Sequence, residues 1–537
     1  MRSIYYNGKI YTNDSPEIAT SMVVDDGKII YIGDEFGAFW YNNEHTWLLD
    51  LSGEVVIPGF NDSHLHLYGL SMIRKQLKLH TATSIKDVID KTKTYIEQES
   101  IASGNWVIGR GWNQDLFDGH HGFPTKQDLD SISTTHPIVL TRVCGHIMVV
   151  NSKALEACNI KEVTKAPFGG ELDFEKGLLT EKALGLIYQY IPDPDDETLE
   201  SMLTDTMNYA NSFGVTTLQI DDLSHLNQSD YHRMLNLYQK LDQEGKLTTR
   251  LVLQCLLPRI ELLDQFIKEG YPNQVYSPYL KVGPLKLLTD GTLGARTAAM
   301  RNPYHDDPST KGLLTYPKEE LLALVTKAHL ANMSVAMHAI GDKAIEECLD
   351  VYEEVLTKHP RKDHRHAIIH CQITDDVLLN RFKTLHVTAI VQPIFLDYDL
   401  HIVTSRVGET LASTSYAFQS MLNKGVHLAI GTDAPIEDID PFANLYASIT
   451  RKDKCGIPEE GFYPSERLSV KDALYYYTAG CAYSSFDEHH LGKLKVGYHA
   501  DFVVIDQDIF TIDPDMIPNT KALLTFVGGK KVYERRG

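Results

Sequence analysis

The chain has 537 residues, 43% of them hydrophobic and 23% charged, which argues against a disordered chain and leaves room for two or three structural units around a large core. Lys plus Arg total 51 against 72 Asp plus Glu, and the resulting formal net charge of -21 works against attraction to phosphate backbones and anionic membrane surfaces, so neither nucleic acid nor membrane is an expected partner. No signal-peptide core and no apolar run of about 18 residues occurs, and the seven cysteines include no C-x-x-C pair. The expectation is a cytoplasmic protein with reduced thiols.

Residues 1–58 hold alternating segments, SIYYNGKIYT, SMVVDDGKIIYIGD and TWLLDLSGEVVIPGF, with Asn7-Gly8 and Asp26-Gly27 as turn formers, which predicts hairpin-rich β-structure. The texture returns at the other end in KLKVGYHADFVVIDQDIF and ALLTFVGGKKVYE. Since that end has too few strands for a sheet of its own, residues 1–58 and 485–537 are expected to share one small β-sandwich. The first barrel-like strand is VVIPGFNDSHLH at 55–66. Residues 75–205 then form an insertion of roughly 130 residues, far longer than a crossover helix requires. It is expected to be a separate lobe over the barrel mouth that sets substrate choice.

From about residue 205, short apolar runs alternate with amphipathic helical stretches, as in repeated βα units around a parallel sheet. The runs are GVTTLQI (214–220), RLVLQCLL (250–257), LKVGPLKLLTD (280–290), SVAMHAIG (334–341), HAIIHCQI (366–373), TAIVQPIF (388–395) and HLAIGTDAP (427–435). With 55–66 they make eight, which predicts an α/β fold with a TIM-like (β/α)8 barrel over residues 59–484.

Metal-capable residues fall at the C-terminal ends of strands one, four, five, six and eight, where barrel enzymes place catalytic groups. His64 and His66 stand two apart in Asp62-Ser63-His64-Leu65-His66, so an extended chain turns both imidazoles to one side, where they can share an ion. An isolated H-x-H often arises by accident; this one follows an apolar strand and Pro58-Gly59-Phe60. Lys286 sits in an apolar strand with no carboxylate beside it in sequence. Taken alone it reads as a snorkelling or salt-bridged lysine, but between two cations the neutral amine could add carbon dioxide and bridge them as a carbamate. His338 and His370 each read equally as core histidines or ligands, and together they could complete a second site. Asp433, ending strand eight, reads either as a turn aspartate or as a ligand and proton acceptor beside His64 and His66. His366 and His427 are expected at the barrel's opposite, stability end, and His120 and His121 in a polar loop.

These motifs together, P-G-F-x-D-x-H-x-H, the strand-four lysine, the two strand-end histidines, G-T-D-A-P and the C-terminal GKLKVGYHADFVV, resemble the amidohydrolase superfamily over essentially the whole chain. Gly109-Arg110-Gly111-Trp112-Asn113, Arg142-Val143-Cys144-Gly145-His146 with Asn151-Ser152, and Asp290-Gly291-Thr292-Leu293-Gly294-Ala295-Arg296-Thr297 resemble its branch of N-substituted formamide deformylases. The resemblance implies a metal-dependent hydrolase acting on an amide, formamide or imide C–N bond of a small molecule. It implies two divalent ions, zinc or alternatively manganese, iron or cobalt. His64, His66 and Asp433 would hold the more buried ion, His338 and His370 the more exposed one, and Lys286 as its N6-carboxylate would join them. Asp433 would pass a proton to the leaving nitrogen. Trp112, His146 and Arg296 become candidate substrate contacts, with a hydrophobic anchor and an ion-pair partner as the structural roles open to Trp112 and Arg296. A homodimer is the superfamily-level expectation. Two rival readings are a mononuclear deaminase of an amino-substituted heterocycle, against which Lys286 argues, and a non-catalytic barrel scaffold, which would have lost ligands that are all present here.

Overall fold

The computed structural model describes residues 2–118, 122–167, 169–224, 226 and 230–536; His120 and His121 lie outside them. The chain divides into two compact units, Met1–Ser71 with Glu200–Gly537, and Met72–Leu199.

The larger unit contains a barrel of eight parallel strands in sequential order: β1 (Phe60–Leu65), β2 (Val215–Ile220), β3 (Arg250–Leu256), β4 (Leu280–Leu288), β5 (Val335–Ala339), β6 (Ala367–His370), β7 (Thr388–Val391) and β8 (Leu428–Ile430). Most of these residues are buried on both faces of the sheet, which is why the strands read as continuous apolar runs rather than alternating ones. The outer layer is helical. Asp342–Lys358, for example, turns Ala344, Ile345, Cys348, Leu349, Tyr352 and Val355 inward, the spacing of an amphipathic helix on a sheet.

The ring is drawn together between β8 and β1 just past the end of β8. Asp433 N donates to His64 O and His66 N to Ala434 O, each at 2.8 Å. The Asp62 carboxylate accepts from Thr432 N at 3.0 Å and from Thr432 Oγ1 at 2.6 Å, and burial pushes this carboxyl up to about 7. Gly431 is required here, because a Cβ would come within 2.8 Å of His64 N and 2.9 Å of Asp62 Oδ1.

Strands from both ends of the chain build two further sheets in this unit. One has the order Lys28–Gly33, Ser21–Asp25, Ser3–Tyr6, Trp47–Asp50; the other runs Lys530–Glu534, Ala522–Val527, Phe502–Ile505, Val55–Pro58, Lys9–Tyr11, Ile18–Ala19. Tyr5 stands edge-on to Phe502 and Phe526 in their shared core. The motif aspartate of HADFVV ties this region to the barrel. Asp501 accepts from Arg250 Nε at 2.6 Å and Nη2 at 2.9 Å, with both side chains about 95% enclosed or more. Truncating one partner of a buried pair strands the other charge. Asp501→Ala is therefore expected to cost about 3–5 kcal/mol, and an unchanged denaturant midpoint would disprove that role.

His366 and His427 lie at the starts of their strands. His366 Nδ1 accepts from Val335 N at 3.0 Å and faces His329 Nδ1 at 2.9 Å through Nε2, and burial holds it well below its ordinary value. His427 Nε2 donates to Gly480 O at 3.1 Å. Both are neutral structural histidines.

Unit Met72–Leu199 is a six-stranded mixed sheet ordered Gly170–Asp173, Leu178–Glu181, Ile147–Val150, Ile138–Arg142, Val107–Trp112, Leu77–Lys78. It has its own core, with Trp112, Leu129 and Leu140 in one cluster and Met148, Leu155 and Ile187 in another.

Candidate metal centre

At the C-terminal ends of the barrel strands, His64, His66 and Asp433 bring three ligand atoms within 4.8 Å of one another. Asp433 Oδ1 is 3.2 Å from His64 Nε2 and 3.0 Å from His66 Nε2. His370 stands beside them, its ring centroid 6.0 Å from that of His64 and 4.5 Å from that of His338. Two of these residues, His370 at φ 79° and Asp433 at φ 60°, occupy the left-handed region, where a non-glycine residue is strained and is held by its surroundings. The chain leaves the extended conformation at these residues, so β6 and β8 end sooner than their apolar runs predict.

The imidazoles are flanked by residues to which sequence reasoning assigned no such role, although Asp290 opens one of the motifs quoted above. His64 Nδ1 is 2.7 Å from Gln254 Oε1 on β3, and His370 Nδ1 is 2.8 Å from Gln392 Oε1 after β7. His66 Nδ1 meets Asp221 Oδ1 after β2 at 2.5 Å, and His338 Nδ1 meets Asp290 Oδ1 after β4 at 3.0 Å. At His64 and His370 the oxygen acceptor at Nδ1 puts the proton there and leaves Nε2 as the donor to a cation, while at His66 and His338 a carboxylate stands at ion-pair distance from Nδ1. The holders are themselves anchored. Gln254 Nε2 donates to Ser63 O at 2.8 Å, and Asp290 accepts from Ala299 N, Ile340 N and Gly341 N. Each holder is the polar residue that ends or interrupts an apolar run, in LQID, LVLQC, LLTD and IVQP, and that was the available signal.

The electrostatics follow from burial and these contacts. Burial opposes charge on Asp433, yet hydrogen bonds with His64 and His66 hold its carboxyl well below the usual range. Burial also opposes a charged His66, but Asp221 and Asp433 on either side raise it to about 10. Burial, aided by His338, holds His370 well below its ordinary value. Lys286 is wholly enclosed on β4, its Nζ 3.1 Å from His64 Nε2 and 4.0 Å from Asp221 Oδ2. A carboxylate is thus near it in space though not in sequence. Burial still wins, lowering the lysine pKa against Asp221 and Asp433.

Four imidazoles presenting nitrogen, one carboxylate and an amine disposed to lose its proton form a hard-to-borderline donor set without thiolate, which fits a divalent cation. Residues 48–533 match the amidohydrolase family. The chain belongs to that family. It is 34% identical over its full length, and the full length of the relative, to the Bacillus subtilis (strain 168) protein named "Putative amidohydrolase YtcJ". It is 25% identical, over 99% of this chain and 98% of the relative, to an N-substituted formamide deformylase of Arthrobacter pascens. A crystal structure of a metal-dependent hydrolase from Pyrococcus furiosus superposes with a TM-score of 0.81 at 30% identity, covering 95% of this chain and all of that one. An amidohydrolase of this fold is a hydrolase that works with a divalent metal, and the strand ends just described are where the donors for one converge.

The three candidate substrate contacts each have partners within their own unit. Trp112 is fully buried in the core of the 72–199 unit, against Phe123, with its indole N–H donated to Leu140 O at 3.0 Å. His146 is exposed in that unit and pairs through Nδ1 with Glu181 at 3.0 Å. Arg296, in the barrel unit, pairs with Asp306 at 2.9 Å. Trp112 thus has the surroundings of a hydrophobic anchor, and Arg296 has an ion-pair partner.

Proposed function

We propose that this amidohydrolase cleaves an amide, formamide or imide C–N bond of a small molecule at a paired-metal centre. The observation that carries the reading is the set of four imidazoles, each with an oxygen from a different strand within 3.0 Å of Nδ1, together with Asp433 and the enclosed Lys286. In it His64, His66 and Asp433 would hold one ion and His338 and His370 the other, with Lys286, as its N6-carboxylate, a ligand available to both. Zinc, or manganese, iron or cobalt in its place, supplies Lewis acidity and makes water acidic enough to attack at neutral pH. The protein's own part is proton traffic and orientation. Asp433 Oδ1 lies 3.2 Å from His64 Nε2 and 3.0 Å from His66 Nε2, the side on which an ion would be held, and Oδ2 would take the proton of the attacking water and return it to the departing nitrogen.

The likeness to a formamide deformylase puts N-substituted formamides first among compounds to try, followed by N-acyl, cyclic imide and carbamate compounds. Turnover of one of these by the zinc-loaded protein, with about two ions per chain, is the expected result. About one ion with deamination of a heterocycle, or no ion and no turnover, would replace this reading by a deaminase or a scaffold.

A further inference from the structure

At the end of the barrel where the strands begin, opposite the imidazole ring, the larger unit contains a cavity of roughly 740 Å³. That volume suits a small organic ligand. Its walls come from the starts of β3 and β4, the segment 273–279 and the segment 484–491. Tyr276, Tyr279 and Phe486 give it flat apolar faces. No residue of the imidazole ring lines it.

Three strong cations reach these walls, and two are closed off. Arg250 is bound by Asp501 at 2.6 and 2.9 Å, and Lys281 by Asp487 at 2.5 Å. Arg361 has only dipoles: Nη1 donates to His329 O at 3.1 Å, and Nη2 to Met333 O at 2.8 Å and His364 O at 3.3 Å. Its Nε, itself enclosed, has no partner among the described residues, and Nη1 makes a single bond, which leaves its second N–H as the other unspent donor. Asp363, the acidic group acting on it, is already committed to Arg365 at 2.8 Å. A guanidinium carries five donors, so part of this one is unspent, and a half-buried cation facing only carbonyls gains from an anion.

We propose that this cavity is a second small-molecule site, separate from the metal centre, which takes a compact aromatic carboxylate. The ring lies against Tyr276, Tyr279 and Phe486, and the carboxylate meets Arg361.

The test is calorimetric titration of the metal-loaded protein with benzoate and with its neutral counterpart benzyl alcohol. Benzoate is expected to saturate a site for which benzyl alcohol is about tenfold weaker, the worth of one charge-assisted contact. Arg361→Gln should weaken benzoate by a similar factor. Because Arg361 also supports three carbonyls, Val275→Glu provides a second variant: Val275 is 67% exposed on the cavity rim, so the added negative charge should weaken benzoate without lowering the melting temperature. Equal affinity for the two probes, absence of saturable binding, or benzoate binding that survives both variants, which would assign it to the metal centre, each overturns the proposal.

Discussion

Asp433→Asn is expected to lower kcat about a hundredfold or more while the protein keeps at least one ion per chain. The amide can still offer an oxygen to a cation between His64 and His66, so metal content responds weakly. An amide cannot take up a proton at neutral pH, so both proton transfers lose their carrier, a contribution worth about a hundredfold or more. Hydrogen bonds with His64 and His66 hold the Asp433 carboxyl well below the usual range, so the loss should be present at neutral pH. His64→Ala, which removes a ligand nitrogen outright, should instead lose metal. Metal analysis beside single-turnover rates separates the two effects, and a fully active Asp433→Asn protein would refute the proton-carrier role.

The second large effect concerns Lys286. An ammonium wholly enclosed on β4, with Asp221 4.0 Å away, is poorly compensated, and burial favours its neutral amine. A neutral amine is the form that adds carbon dioxide. Nζ would bond to the carbon of carbon dioxide and release one proton to solvent, and the resulting anion would offer two oxygens for two cations. Lys286→Ala should therefore lose nearly all activity and part of its metal, and formate or acetate supplied with metal should restore a fraction of both. Intact-protein mass spectrometry under native conditions should find the carboxylate adduct with metal bound and lose it on chelation. Failure of every small carboxylate to rescue, together with an unmodified lysine at full metal occupancy, would leave a mononuclear hydrolase in which Asp433 is still the base.

Much of the barrel was legible because its signals are local. An apolar run that must be buried on both faces announces itself, and the chemistry-bearing residues sit at the ends of such runs. His64, His66 and Asp433 meet as the closure of β8 onto β1 requires. The holders of the imidazoles were not legible, for a physical reason: Gln254 reaches His64 from β3, and Asp290 reaches His338 from the end of β4, contacts set by barrel tilt and register rather than by spacing along the chain. The left-handed turns at His370 and Asp433 shorten β6 and β8 in a way that no propensity predicts. In the 72–199 unit, the motif around Trp112 reads equally as binding or as packing. The donated indole N–H and the complete enclosure of the ring are facts of three dimensions that spacing along the chain does not carry.

The interleaving of ligands and holders has an evolutionary corollary. Each imidazole has beside it a side chain on or just past a barrel strand, and none from a long connecting loop. Loops can therefore be lengthened, replaced or recombined to admit a different molecule without retuning the reactive centre. Such a chain is free to drift between substrates one loop at a time while its chemistry stays constant. A change of chemistry, by contrast, would need paired replacements on neighbouring strands, because altering a ligand alone leaves its holder a buried polar group with nothing to hold.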